Sequence, residues 1–337
     1  MKFTELKKHF LANTYFPAYT ICGEDIFLCY RALDMFTARF GNTVPEMNTN
    51  VFSSEKVDMQ QVVDACLMPP FGDAFRLVIV KPSKVKFTNS DMQLLKTYIK
   101  KPSTTTICVF FFTETNESAK SVSACTEPII CEHLDVSMAH AWVQGKIFAP
   151  TRVQIKPEAM QLLYAYCNAD LARITSEAQK LASFVGENGV IDGNMIKTFV
   201  EQDKEYKIFE LTDKIAQKDA EGAMDVFTTL MKNEKTAYAI LTPLYTHFRR
   251  LLYISLLQST QSQAWLAEKF GIKEWAVKMM FAQVKQYSPK LLKKIVDSLE
   301  CTDENIKSGK MKEDIAVNLA IMNILIWRGA YAKHNHG

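Results

Sequence analysis

Two apolar runs dominate the first third of the chain, "RLVIVK" at 76–81 and "TTTICVFFFT" at 104–113. They are continuous rather than alternating and rich in Val, Ile and Phe, the pattern of strands covered on both faces. Strands are predicted at 18–22, 50–53, 77–80, 105–112 and 129–131, with helices between them at 25–40, 59–67 and 90–100. Strand–helix alternation of this kind predicts a parallel, three-layer α/β domain.

Beyond residue 137 the strand pattern stops. Ser137 stands as an N-cap for a helix through Val143, and Pro157 suits the first turn of another. Leu171, Ile174, Ala178 and Leu181 recur at helical spacing within 170–184. "GENGVID" reads as a turn before a helix at 192–200. Further helices are predicted at 208–217, 220–231, 236–257, 263–270, 273–286, 289–300 and 313–327. The expected organisation is an α/β domain at 1–136, a small helical domain at 137–205 and a larger helical domain at 206–337.

Composition narrows the function classes. The 337 residues are 48% apolar and 23% charged, with a net charge of only +3, so any contact with nucleic acid must be local. No apolar run is long enough to span a membrane, and "MKFTELKKHF" lacks the apolar core of a signal peptide, which gives a cytoplasmic expectation. The eight cysteines are scattered without a CxxC pair and read as reduced, mostly buried thiols. The six histidines show no metal-ligand spacing, so no metal site is expected.

"CGEDIF", at 22–27, follows the first strand and opens the first long helix, where an α/β protein often holds a phosphate. A P-loop needs GxxxxGK[ST], with backbone N–H groups around the phosphates and a lysine against their charge. Here Gly23 remains, but Glu24 and Asp25 place carboxylates at the helix N-terminus, where they match its dipole and repel a triphosphate. The strand "LVIV" ends in Lys81-Pro82, where an ATPase would present a metal-binding Asp. The pattern fits an ATPase fold that has lost its site, or an α/β domain that never bound nucleotide. Neither hydrolyses ATP.

"GEDIFL", "LMPPFGDAFRLVIVK", "CNADLARITSEAQKL" and "IFELTDKIAQKDAEGAMDVFTTLM" follow in order, then "LYTHFRRLLY" and "DENIKSGK". In this order and spacing, over nearly the whole chain, they resemble the delta-subunit family of bacterial DNA polymerase III, a clamp-loader family. The resemblance implies a nucleotide-free AAA+-like (RecA-type) domain, a helical lid and a helical collar that packs into a ring with other subunits. It implies a sliding-clamp (beta) partner, the ATPase subunits gamma/tau, delta-prime, and primer-template DNA within the assembly. ATP and Mg would be bound by the partner subunits, and this chain would need no cofactor. The segment "TNESAKSVSACTEP" lacks the basic run found in many relatives, so no contact is carried over there.

Between the helix at 59–67 and the next strand lies Leu67-Met68-Pro69-Pro70-Phe71-Gly72. Two prolines stop the helix and keep the chain extended, yet three large apolar residues occupy a connection where polar ones are usual. From the residues alone they either fold under the sheet or form a contact surface. By the resemblance, Met68 and Phe71 match an apolar plug that enters a pocket on the clamp, with Pro70 where relatives often carry Leu. The helix at 25–40 is the surface expected to distort the clamp's subunit interface.

Two rival readings remain. "WLAEKFGIKEWAVKMMFAQVKQ" has helix-turn-helix spacing at Ala267, Gly271 and Val277, which would make a DNA-binding regulator. Its second helix, however, carries Trp275, Met279, Met280 and Phe281 among Lys273, Lys278 and Lys285, a face suited to bundle packing. The second rival is an active AAA+ ATPase with a degenerate loop. Of the basic clusters (Lys84/Lys86, Lys100/Lys101, Arg249/Arg250, Lys293/Lys294, Lys307/Lys310/Lys312), Arg249, Arg250 and Lys307 are the candidates for a DNA or subunit contact.

Overall fold

The computed structural model describes residues 1–41, 43–54, 57–82, 86–233, 236–272 and 274–330. Lys84, Lys273 and the tail histidines His334 and His336 lie outside the described residues, as does the side chain of Trp275. The chain divides into two compact units, residues 1–143 with 170–176, and residues 144–169 with 177–337.

The elements of the first region run α1 (Phe3–Leu11), β1 (Ala18–Gly23), α2 (Ile26–Arg39), α3 (Pro45–Asn48), β2 (Thr49–Ser54) and α4 (Met59–Leu67). They continue as β3 (Arg76–Pro82), α5 (Asn89–Lys100), β4 (Thr106–Phe111), α6 (Glu117–Ser123), β5 (Glu127–Cys131) and α7 (Val136–Val143). Among the described residues the strands form one five-stranded sheet in the order β2-β3-β4-β1-β5. Every neighbouring pair is parallel, as the continuous apolar runs predict. Because successive strand residues face opposite ways, Val78, Val80, Cys108 and Phe110 pack under α4, α5 and α6 with Val62, Cys66, Leu95, Tyr98 and Val122. On the alternate positions Tyr19 meets Phe36 of α2 with ring centroids 4.8 Å apart, and Phe10 of α1 meets the same ring at 5.0 Å. The order reverses between β1 and β4, and α/β sheets bind ligands beyond the carboxyl ends of strands at such a switch point.

Three local expectations are corrected. The N-cap of α7 is Asp135, whose Oδ1 accepts the Met138 N–H at 2.8 Å, and not Ser137. Strands also continue past residue 137. β6 (Gln154–Ile155) pairs in parallel with β7 (Val190–Ile191), and β7 falls in the "GENGVID" stretch expected to be a turn. Two-residue strands carry no readable periodicity, and their hydrogen bonds (Gln154 N–H to the Gly189 carbonyl, Lys156 N–H to that of Ile191, both 3.0 Å) form only once the chain has folded. Finally, α1, α3 and α6 went unpredicted, each being short, with one to three buried residues to hold it.

The second region opens with a π-helical turn, Gln144–Phe148, and includes α8 (Pro157–Tyr166), α9 (Leu171–Val185) and α10 (Gly193–Phe199). It ends in α11 (Lys204–Gln217), α12 (Ala220–Asn233), α13 (Tyr238–Leu257), α14 (Gln263–Phe270), α15 (Glu274–Val284), α16 (Pro289–Lys307) and α17 (Glu313–Ala330). The last seven share one apolar core that includes Phe227, Phe248, Leu251, Ile295, Leu299 and Ile321. A polar cluster sits inside it. His247 Nε2 lies 2.8 Å from Gln283 Oε1, which can only accept, and 3.0 Å from Thr212 Oγ1. The Thr212 hydroxyl donates onward to the Phe209 carbonyl at 2.9 Å. Burial lowers the His247 pKa to about 4, against a raising contribution from Gln283, and the nearby Arg250 charge lowers it further.

This histidine makes stability depend on pH. Between its folded value of about 4 and its ordinary 6.5, the unfolded chain holds a proton that the folded chain does not. His247 therefore leaves stability undiminished above pH ~6.5 and removes about 3 kcal/mol as pH falls through that window. Urea unfolding at pH 7, 5.5 and 4.5, read by far-UV circular dichroism, should show this loss. His247→Gln should flatten the slope by roughly one proton's worth; an unchanged slope would contradict a buried neutral imidazole.

Candidate functional site

The carboxyl end of β1 runs into α2 through only two residues, Glu24 and Asp25. Gly23 is in register with Cys131 of β5, and a Cβ at this position would collide with the Cys131 backbone, so only glycine fits. The Asp25 N–H donates to the Cys131 carbonyl at 3.0 Å. Asp25 is 5% exposed. Its Oδ1 accepts the Leu28 N–H at 3.0 Å, capping α2, and its Oδ2 lies 3.3 Å from His133 Nδ1. The amides that could line a phosphate cradle are thus partly spent on an internal carboxylate. Glu24, expected with Asp25 to match the helix dipole, is exposed and adds negative charge there.

Lys81 is the penultimate residue of β3 and is half-buried. Its Nζ lies 5.8 Å from the centroid of the Phe111 ring at the end of β4, and Tyr30 of α2 packs on the same ring at 4.9 Å. The switch-point end of the sheet therefore holds an aromatic pair and a cation where a metal-binding carboxylate would be expected. Among the described residues no group of three His, Cys, Asp or Glu side chains could hold a metal ion. No described helix is long and apolar enough to cross a membrane.

The connection after α4 is the other candidate. Met68 is the extended C-cap of α4, as a residue before proline must be. Leu67, Met68 and Phe71 are 57%, 51% and 58% exposed, so they do not fold back as core. Pro70 is half-buried. The backbone beneath them is tied down. Asn48, fully buried at the end of α3, accepts the Phe71 N–H at 2.7 Å and donates to the Phe71 carbonyl at 2.8 Å. Arg76 donates to the Pro69 carbonyl at 3.2 Å and to Asn50 Oδ1 at 2.6 Å. At the end of the loop Gly72 takes the left-handed region at φ 62°, and beyond it Asp73 accepts the Thr43 N–H at 3.0 Å. That bond, with those from the neighbouring backbone, holds the Asp73 carboxyl below its ordinary pKa. Asn48 and Arg76 were not predicted from the sequence. The only available signal was an arginine opening an otherwise apolar strand.

The basic candidates separate. Arg249 is exposed, its guanidinium 5.6 Å from the Tyr253 ring. Arg250 is half-buried and donates to the Phe270 carbonyl at the end of α14, a 3.1 Å bond. Lys307 is paired with Asp303 at 2.7 Å, and Tyr238 donates to the same carboxylate at 2.6 Å. Of the three, Arg250 and Lys307 serve the bundle itself. In the helix-turn-helix stretch Gly271 does make a left-handed turn. Val277 and Met280 are buried, however, and Met279 and Phe281 pack on the same core, so α15 turns its apolar face inward.

Residues 19–127 match the family described as DNA polymerase III, delta subunit, and residues 205–324 match the family described as DNA polymerase III delta subunit, C-terminal domain. The two matches together span well over half of the chain. The chain belongs to the DNA polymerase III delta-subunit family. The DNA polymerase III subunit delta of Bacillus subtilis is 24% identical over 327 residues, which is 92% of this chain and 93% of the relative. The solved Bacillus subtilis DNA clamp loader delta protein superposes with a TM-score of 0.69 at 22% identity, covering 96% of this chain and 99% of that one. That superposition establishes a shared fold, the AAA+-like parallel sheet followed by helices. Within the delta-subunit family match of 19–127 lie both the acidic turn and the exposed loop.

The tightness of the β1–α2 turn can be measured directly. Asp25→Ala should destabilise the first unit by about 1 kcal/mol through loss of the cap. Gly23→Ala should cost at least about 2 kcal/mol, since the β5 backbone cannot move aside. Urea unfolding followed by tyrosine fluorescence checks both, and equal stabilities would mean the turn is looser than its geometry.

Proposed function

We propose that this chain acts by gripping and opening a sliding clamp, and that residues 67–72 are the gripping element. The observation that carries the reading is the exposure of Leu67, Met68 and Phe71 on a backbone held by buried Asn48 and Arg76. Apolar side chains of this size on a fixed loop are the usual anchors of a protein interface, each contributing about 1.5–3 kcal/mol when buried. To open a ring rather than merely bind it, the contact must favour the open form over the closed one. Ile26 and Tyr30, exposed on α2, supply a second apolar surface for that purpose.

On this reading the chain has no catalytic activity of its own and takes no cofactor. The buried carboxylate of Asp25 and the cation of Lys81 occupy the places where phosphate donors and a metal ligand would be needed, so ATP and Mg belong to partner subunits. Those partners are the gamma/tau ATPases and delta-prime, around primer-template DNA, in the cytoplasm. The residues at 1–136, 137–205 and 206–337 would then serve as clamp-gripping domain, lid and collar. Of the three basic candidates Arg249, exposed and with no ion pair among the described residues, is the one left to meet DNA or a neighbouring subunit.

Replacing Met68 and Phe71 together with Ala should weaken binding to the host sliding clamp by at least about a hundredfold, measured by surface plasmon resonance on folded protein. Full affinity in that variant would remove the loop as the site. Equilibrium dialysis with labelled ATP and Mg²⁺ should detect no tight binding, and saturable micromolar binding would restore the ATPase reading.

A further inference from the structure

We propose that Asn48 and Arg76 are positioning residues that set the clamp-gripping loop in its binding shape before any partner arrives; this rests on the gripping function proposed above. Asn48 is the last residue of α3 and is wholly inaccessible. A buried carboxamide is unfavourable unless both its donor and its acceptor are satisfied. Here both go to one residue, Phe71, whose N–H it accepts at 2.7 Å and whose carbonyl it meets at 2.8 Å. The side chain acts as a one-residue strand partner, closing a pair of amide bonds across 23 positions of sequence.

Arg76 makes the second hold. It opens β3, is 7% exposed, and directs one Nη to the Pro69 carbonyl at 3.2 Å and the other to Asn50 of β2 at 2.6 Å. Its Nε is buried without a hydrogen-bond partner among the described residues.

Between these two holds lies Pro70, whose ring locks φ. Residues 69 and 71 turn their backbone polar groups inward to Arg76 and Asn48, while the side chains of Met68 and Phe71 remain half exposed or more. This is the reverse of a folding core, in which apolar side chains are hidden. A loop free to move would have to be ordered on binding, which weakens a complex even when every contact is present. Rigidity here is bought during folding, by residues that would never touch the partner.

The test uses the full-length chain and the host sliding clamp at a temperature where each variant is folded by circular dichroism. Asn48→Ala and Arg76→Met should each weaken clamp binding by about tenfold, with Met68 and Phe71 unaltered. Hydrogen exchange should show the Phe71 amide losing protection in Asn48→Ala while the amides of Val78 and Phe110 keep theirs. If Asn48→Ala does not fold, Arg76→Met, which keeps an apolar stem, carries the test. Affinity within twofold of the parent in the folded variants, with the Phe71 amide exposed, would overturn the positioning role and leave the gripping loop standing. The Met68→Ala, Phe71→Ala double variant is the control: unchanged affinity there defeats the gripping reading and this proposal with it, whereas a loss there alone defeats only the positioning role.

Discussion

The approach of Gly23 to the Cys131 backbone is the constraint from which the rest of the sheet's working end follows. It leaves no room for a Cβ and lets β1 pass into α2 through two residues. A phosphate-binding loop needs a wider turn with several amides free to converge on oxygen. In this chain one of those amides, that of Leu28, is taken by Asp25, and the Asp25 amide is taken by Cys131. The cap satisfies a helix-end N–H that would otherwise be left to water or a ligand. At the switch point Tyr30 and Lys81 are laid on Phe111.

With that end closed, the exposed apolar residues of the α4–β3 connection gain importance. A folded protein commonly leaves single apolar side chains in water, but not three within five residues on a tied backbone. The ties belong to different elements, α3 for Asn48 and β3 for Arg76, so the loop's backbone bonds form only when both elements are in place. The loop's shape is therefore a property of the whole α/β unit rather than of its own six residues.

The helical unit solves its buried polarity in another way. His247, Thr212 and Gln283 satisfy one another inside an apolar core with no formal charge, which avoids the larger penalty of a buried ion. The buried Arg328 instead sits at a helix end, donating to the Ala216 carbonyl near the end of α11 at 2.8 Å, with the Tyr287 ring 5.2 Å away. A cation there complements the negative end of the helix dipole. Both arrangements join helices distant in sequence, so they fix which helices are neighbours.

Much of this architecture was legible in the chain. All five strands of the sheet, the long helices and the acidic turn at Glu24-Asp25 follow from periodicity, capping residues and the absence of a Gly-Lys-Ser/Thr run. These are local properties, and local sequence determines them because they depend on residues a few positions apart. The strand order, the pairing of β6 with β7, the exposure of Met68 and Phe71, and the engagement of Arg250 were not legible. Each depends on a partner that arrives from another part of the fold, such as Asn48 for Phe71 or Phe270 for Arg250. Sequence determined which segments become strand or helix and set the carboxylates of Glu24 and Asp25 at the first turn. Tertiary structure alone decided which apolar residues stay in water, because burial is set by what the rest of the chain places on top of them.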